Sequence, residues 1–381
     1  MKKRLFILIL LISIFLPLSI ALFFGNVTPR NKPVPKIQPR AKTEVEIKEK
    51  TSTEVQLASI IASELEIPWD LAFLPDGRLL FTERPGRVGV IDREGKSSSV
   101  ATISQVKHIG EGGLLGIAAH PDFNNNKYIY CYYTYSSAGN GTLNRVARFK
   151  FESDKLTNEE IIVDAIPGAA NHNGGRIKFG LDNFLYITTG DAQNPSLAQN
   201  TNSLAGKIIR VTDEGKPAPG NPFNNLVYSY GHRNSQGITW DNNGRLWSTE
   251  HGRSGIQSGL DELNLIEKGK NYGWPIIQGD ETKEGMVSPV INSGPNDTWA
   301  PAGTVFYDDR IFFGGLRGEA LFEYKIADKS LSKHFHKEFG RIRAVVLGPD
   351  DYFYITTSNS DGRGIPREGD DKIIKINPQK L

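Results

Sequence analysis

The chain of 381 residues carries 45 basic and 43 acidic side chains, a formal net charge of +2, which leaves no basic stripe for nucleic acid and no acidic tail. A hydrophobic share of 38% and a charged share of 23% are those of an ordinary globular protein with a core. The lone cysteine, Cys131, excludes any disulfide within the chain, and 39 glycines suit a fold of many tight turns.

Lys2, Lys3 and Arg4 precede an uncharged, mostly apolar run from Leu5 to Phe24. A positive flank before about 20 apolar residues is an export signal, and that length could also span a bilayer. Ser19-Ile20-Ala21 offers a cleavage site, so cleaved signal peptide and retained membrane anchor both stay open. In either case the flanking charges place everything after the run outside the cytoplasm. No cysteine follows the run to take a lipid. Residues 25–54 are rich in Pro, Lys, Thr and Glu; such a composition buries no core and reads as a linker or stalk.

From residue 55 onward the chain repeats itself. Each unit is a short apolar strand, a turn built on Asp, Asn or Gly, and a second strand rich in aromatic and β-branched residues. The first unit runs from Pro68 to Glu83 around Asp76. The second turns at Asp122 and continues into Tyr128–Tyr135, where Cys131 reads as a small hydrophobe in a core strand. The third turns at Asp182, the fourth at Asp241, the fifth at Asp308 and the sixth at Asp350. These aspartates are 46, 60, 59, 67 and 42 residues apart, a period that marks propeller blades. Hardly any window shows helical periodicity. The expected fold is all-β, a six-bladed propeller of four-stranded antiparallel blades over residues 55–381. Pairing of Val55–Ala62 with Lys372–Ile376 would close the ring and hide two edges. A β-sandwich with coincidental turns competes, but six aligned copies argue against it.

In a propeller the innermost strands line a central channel and the loops at one mouth form the site. The unusual polar residues fall at those places. His172, entering the third blade, and Asp191, leaving its second strand, make an intelligible general base, since a carboxylate fixes the imidazole tautomer; a structural histidine in a glycine-rich turn is the other reading. His120 and His232 read as structural, His232 bracing the loop that presents Arg233. Arg233, Arg317, Arg341 and Arg343 would, on one mouth, require an anion to neutralise them; each alone would pass for a surface charge. The stretch from Thr249 to Pro275, with its glycines, Asp261 and Glu262, could give calcium carbonyl and carboxylate oxygens. No His/Cys spacing suits zinc or iron.

Gly110-Glu111-Gly112-Gly113, His172 with Asp191, Gly231-His232-Arg233-Asn234, Glu250-His251-Gly252, Asn271-Tyr272-Gly273-Trp274-Pro275 and Arg341-Ile342-Arg343 occur in that order. Over about residues 64 to 377 the sequence resembles the pyrroloquinoline quinone (PQQ)-dependent aldose sugar dehydrogenases of the glucose/sorbosone dehydrogenase family. The resemblance implies that His172 takes the C1 hydroxyl proton of the sugar as hydride passes to C5 of PQQ, that Asp191 orients it, and that Arg233 stabilises the developing charge. It implies PQQ binding by Glu111, Asn234, Thr298, Arg317, Arg341 and Arg343, the arginines matching a tricarboxylate. One calcium would use the carbonyls of Gly252 and Arg253 and act as a Lewis acid; a second, structural one would use Glu262 and Tyr272.

Three departures stand out: Glu111 replaces a glutamine, Asn171 an aspartate, and Arg253 a proline. The loops Ser136–Thr142 and Gly279–Thr298 are expected to shape the sugar pocket. Electrons would pass to an external acceptor, a quinone or redox protein. A calcium-dependent lactonase would want acidic and Asn ligands around one metal, and a non-catalytic binding module would have lost the base or the arginines.

Overall fold

The apolar first strands and the Asp-centred turns organise the chain in the computed structural model, which describes residues 56–139, 141–255 and 258–381. The N-terminal run and the linker to residue 54 lie outside the described residues, and the compact unit is Val55–Leu381. Six four-stranded antiparallel sheets follow one another along it. Their innermost strands are Pro68–Phe73, Leu114–Ala119, Ile177–Phe179, Ser235–Trp240, Pro301–Tyr307 and Ile342–Leu347. Five sheets are built from consecutive strands. The sixth takes its outer strand from the other end of the chain: Ala58–Ala62 pairs with Ile373–Ile376, Ala58 opposite Ile376. The expected closure is thus observed, and the last blade gains a partner for an edge that would otherwise stand open.

Three of the six repeating aspartates share a task, while Asp76 and Asp308 hold Arg78 and Arg310 and Asp122 holds Asn125. Asp182 accepts from the Tyr186 hydroxyl at 3.0 Å, Asp241 from Trp247 Nε1 at 2.8 Å and Asp350 from the Tyr354 hydroxyl at 2.9 Å. Asp241 also accepts from the backbone of Asn243 and Arg245. In these three blades the carboxylate ties the hairpin turn to an aromatic residue on the following strand.

Between neighbouring sheets the side chains that alternate inward form separate apolar layers. One joins blades one and two through Leu80, Val88, Ile117 and Cys131. Another joins blades five and six through Phe312, Ile342 and Phe353, and a third joins blade six back to blade one through Ala344, Tyr354, Leu71 and Phe81. Cys131 is fully buried, and burial pushes its thiol up and away from reactivity. Phe312 and Phe353, also fully buried, meet edge-on at 4.8 Å; cutting either back to alanine would cost about 3–5 kcal/mol. The packing fixes the inner strands, and so the loops that precede them.

Candidate active site

The loops entering the inner strands surround a cavity of about 580 Å³ at one mouth of the ring. His172 reaches it from a tight segment entering blade three, with a backbone φ of +61°. That strained turn is held from several sides. The His172 N–H donates to Glu111 Oε2 at 2.9 Å. Behind it, a side chain on Gly190 would lie 2.0 Å from the His172 carbonyl oxygen, so only glycine allows the approach.

The imidazole Nδ1 lies 2.8 Å from Asp191 Oδ1. Asp191 is fully buried; its Oδ1 also accepts from the Gln193 N–H and its Oδ2 from Trp274 Nε1, each at 2.8 Å. A carboxylate so surrounded by donors takes the proton of Nδ1–H as a hydrogen bond, leaving Nε2 as the lone pair on the cavity side. The pairing expected from sequence is present.

Arg233 stands beside this pair, its guanidinium 5.3 Å from the centre of the Trp274 ring. Its Nη2 donates to Ser254 Oγ at 2.8 Å, while its buried Nε has no partner among the described residues. The loop presenting it is anchored by Glu250, which accepts from Arg233 N–H, from Ser235 Oγ at 3.0 Å and from His232 Nδ1 at 2.8 Å. His232 is fully buried, bonded through Nε2 to Ser229 Oγ and stacked on Tyr272. It braces the loop, as expected.

The arginines divide into two kinds. Arg317 and Arg253 line the cavity and, among the described residues, have no side-chain hydrogen bond or ion pair. Arg341 also lines it but is already neutralised: Asp361 Oδ2 lies 2.7 Å from its Nη2 and 3.5 Å from Nη2 of Arg343. The sequence reading gave these cations no carboxylate of their own, and Asp361 corrects that. Arg343 sits below the wall, buried, with Nη1 on Gln236 Oε1 at 3.2 Å. Burial lowers it to about 9 despite Asp361, with Arg84 and Arg341 adding to the fall. Asn234 is likewise behind the wall, its Oδ1 accepting from Gly174 N–H at 2.9 Å and its Nδ2 buried without a partner.

Glu111 faces the cavity, and its Oε1 pairs with Arg363 Nη1. Arg363 Nη2 also donates to Asn171 Oδ1 at 2.7 Å. Burial favours the neutral acid, but His251, the Arg363 charge and hydrogen bond, and the His172 N–H outweigh it and hold Glu111 at about 2. Glu111 is an ionised brace between the base loop and Arg363.

The calcium residues fall into two places. Gly252 and Arg253 are on the cavity wall. Asp261 is spent in holding them: Oδ1 accepts from Gly252 N–H at 2.8 Å, and Oδ2 accepts from Thr298 Oγ1, Trp299 N–H and Ala300 N–H. Thr298 reaches the wall through that contact. Glu262 and Tyr272 lie apart from the cavity. Glu262 is directly opposite Glu250 across the strand pair, and burial with that neighbouring charge drives it up to about 8. The Tyr272 hydroxyl is committed to Leu265 O and Glu267 N–H, which leaves its main chain for a metal. Glu250 already holds His232, Arg233 and Ser235, which leaves the half-buried Glu262 as the carboxylate a divalent cation there would use. Among the described residues no three His, Cys, Asp or Glu side chains converge as a metal site, so calcium here would depend on carbonyl oxygens.

A second, shallower cleft of about 440 Å³ adjoins the first, and His172, Gln193, Arg233, Arg253 and Ser254 line both. Trp274, Gln278 and Pro195 form its far wall. Among the described residues, none of the loop Ser136–Thr142 lines either space, and of Gly279–Thr298 only Thr298 does. The sequence reading missed Asp361 and Arg363. Their signal was position: Asp361-Gly362-Arg363 follows the second strand of blade six as Asp191 follows that of blade three.

Residues 65–367 match the model of the family described as glucose/sorbosone dehydrogenase. The chain is 30% identical over 359 residues to an aldose sugar dehydrogenase of Escherichia coli, spanning 84% of this chain and 92% of that protein. A PQQ-bound aldose sugar dehydrogenase structure from Streptomyces coelicolor superposes with a TM-score of 0.78 at 37% identity, covering 84% of this chain and 97% of that one. A structure from Thermus thermophilus, described as a putative oxidoreductase (glucose dehydrogenase), gives 0.79 at 42% identity, with 84% and 99% covered.

Proposed function

The chain belongs to the glucose/sorbosone dehydrogenase family, and from that premise we propose that it oxidises aldose sugars at C1 to the lactone, using PQQ and calcium. The observation that carries the reading is the place of His172, on the common boundary of an arginine-lined cavity and an open cleft. The cavity fits a planar polyanion: Arg233, Arg253, Arg317 and Arg341 line it, and the buried Nε groups of Arg233 and Arg253 and Nε2 of His251 have no partner among the described residues. Arg343 supports it from below. Glycine and arginine carbonyls at 252 and 253, steadied by Asp261, would hold one calcium; Glu262 with the Tyr272 main chain would hold a structural one. When bound, PQQ supplies the two-electron acceptor for the C1 hydride and calcium the Lewis acidity at the quinone.

The protein's own part is to place the sugar and move a proton. With the sugar in the cleft, His172 Nε2 accepts the C1 hydroxyl proton. Asp191 stabilises the resulting imidazolium and keeps the ring from turning. Arg233, its orientation fixed by Ser254 and Trp274, meets the negative charge that develops on the acceptor side. Glu111 keeps the base loop in its strained turn. The cavity carboxylates Glu111 and Asp261, and Asp361 behind Arg341, are all committed to protein partners, which argues against the ligand set of a lactonase. An external quinone or redox protein would take the electrons. The N-terminal run would put the domain on the outer side of the cytoplasmic membrane, anchored or released.

The test is dye reduction by the purified protein with glucose and other aldoses, with and without PQQ and calcium and with a chelated control. Sugar-dependent reduction that needs both additions supports the reading. Absence of PQQ binding overturns it and leaves a propeller binding module.

A further inference from the structure

At the far end of the same inner strands the ring encloses a second space, about 260 Å³, to which all six blades contribute. Its walls are mostly apolar, with Leu71, Ile117, Val305 and Val345 among them. Blade three brings two cations there, Arg176 and Lys178, two residues apart on extended backbone and so directed the same way.

Arg176 is 5% exposed. Its Nη1 pairs with Asp70 and its Nε donates to the Gln236 carbonyl oxygen at 3.0 Å, but its Nη2 is buried with no partner among the described residues. Lys178 has neither a hydrogen bond nor an ion pair among the described residues. Asp70 does not engage it: Oδ1 also accepts from Leu71 N–H at 2.9 Å, and Oδ2 from Ile117 N–H at 3.2 Å. Two cations therefore share one carboxylate. Burial, against the pull of Asp70 and with the push of Arg176, lowers Lys178 to about 8, as expected for a cation lacking a counter-charge.

We propose that this end of the channel binds a small organic monocarboxylate, whose carboxylate engages Arg176 Nη2 and Lys178 Nζ and whose short apolar body packs on Leu71, Ile117 and Val305. A planar carboxylate suits the spare edge of a guanidinium. One negative charge matches the single excess positive charge. Inorganic phosphate, more highly charged and strongly hydrated, would lose its water against apolar walls without repayment. The site is distinct from the cofactor cavity and does not depend on the activity proposed above.

Calorimetric titration of sodium butyrate into the full chain tests this, comparing wild type with Lys178→Met and Lys178→Arg. Saturable binding that is weakened at least about tenfold by Lys178→Met and kept by Lys178→Arg is the expected result. No saturable binding by the wild type, or equal affinity in Lys178→Met, overturns the proposal. Wild-type crystals soaked in 3-bromopropionate give an answer that needs no variant. An anomalous peak beside Arg176 and Lys178 is expected; peaks confined to the arginine-lined cavity at the other mouth would overturn the proposal.

Discussion

The indole Nε1–H of Trp274 donates to Asp191 Oδ2 at 2.8 Å, while the other oxygen of the same carboxylate holds His172 Nδ1 at 2.8 Å. The indole face also lies 5.3 Å from the Arg233 guanidinium. One side chain thus positions both the partner of the base and the cation beside it. Trp274→Phe keeps the ring and removes the N–H. Loss of one hydrogen bond to a charged group, about 1.5–3 kcal/mol, should lower kcat by roughly 10- to 100-fold with little change in PQQ affinity. Steady-state kinetics with a cofactor titration checks this.

Asp191→Asn should cost more. An amide cannot stabilise the imidazolium, and its NH₂ competes for the wrong histidine tautomer. A fall in kcat of about 10²- to 10⁴-fold, again with cofactor binding preserved, is expected. Unchanged kcat would show that His172 does not work through Asp191.

The two kinds of arginine predict different failures. The Arg317 side chain is exposed and has no hydrogen bond or ion pair among the described residues, so Arg317→Met should weaken PQQ binding and leave the unfolding free energy of the free protein within about 0.5 kcal/mol. Arg341 neutralises the buried Asp361. Arg341→Met should weaken binding and also destabilise the protein by about 3–5 kcal/mol, because a buried carboxylate loses its main partner. Cofactor titration and denaturant unfolding on both variants separate the cases.

Much of the fold is legible because its signals are local. In blades three, four and six the turn aspartate sits a few residues from the aromatic residue it bonds, as with Asp241 and Trp247, so turn and strand appear together in one short window. The His172–Asp191 pair is legible for a similar reason, since the two flank one hairpin of blade three. Contacts made across the ring are not legible. Glu111 and Arg363 are 252 residues apart and meet only because blades two and six face the same mouth. Asp361, which neutralises Arg341 and Arg343, looks in sequence like any loop aspartate. Asp361 thus offsets part of the positive charge at the mouth, and Arg343 stands below its wall.

The Glu111–Arg363 pair carries a pH signature. Glu111 is held at about 2 against an ordinary value of 4.5, so its ionised form stabilises the folded state. That stability is fully present above about pH 4.5 and is lost as pH falls through about 2. The stability gap between wild type and Glu111→Gln should be constant above about pH 5 and close below it, measured by denaturant unfolding at each pH. A gap independent of pH down to the acid limit would mean that Glu111 gains nothing from its charge.

The most direct test of the account is stopped-flow reduction of bound PQQ by glucose in wild type and His172→Ala, each loaded with cofactor and calcium. The account predicts rapid reduction in the wild type, slowed by deuterium at C1, and no reduction in His172→Ala although PQQ remains bound with near-normal affinity. Reduction in His172→Ala within a few-fold of the wild-type rate would contradict it.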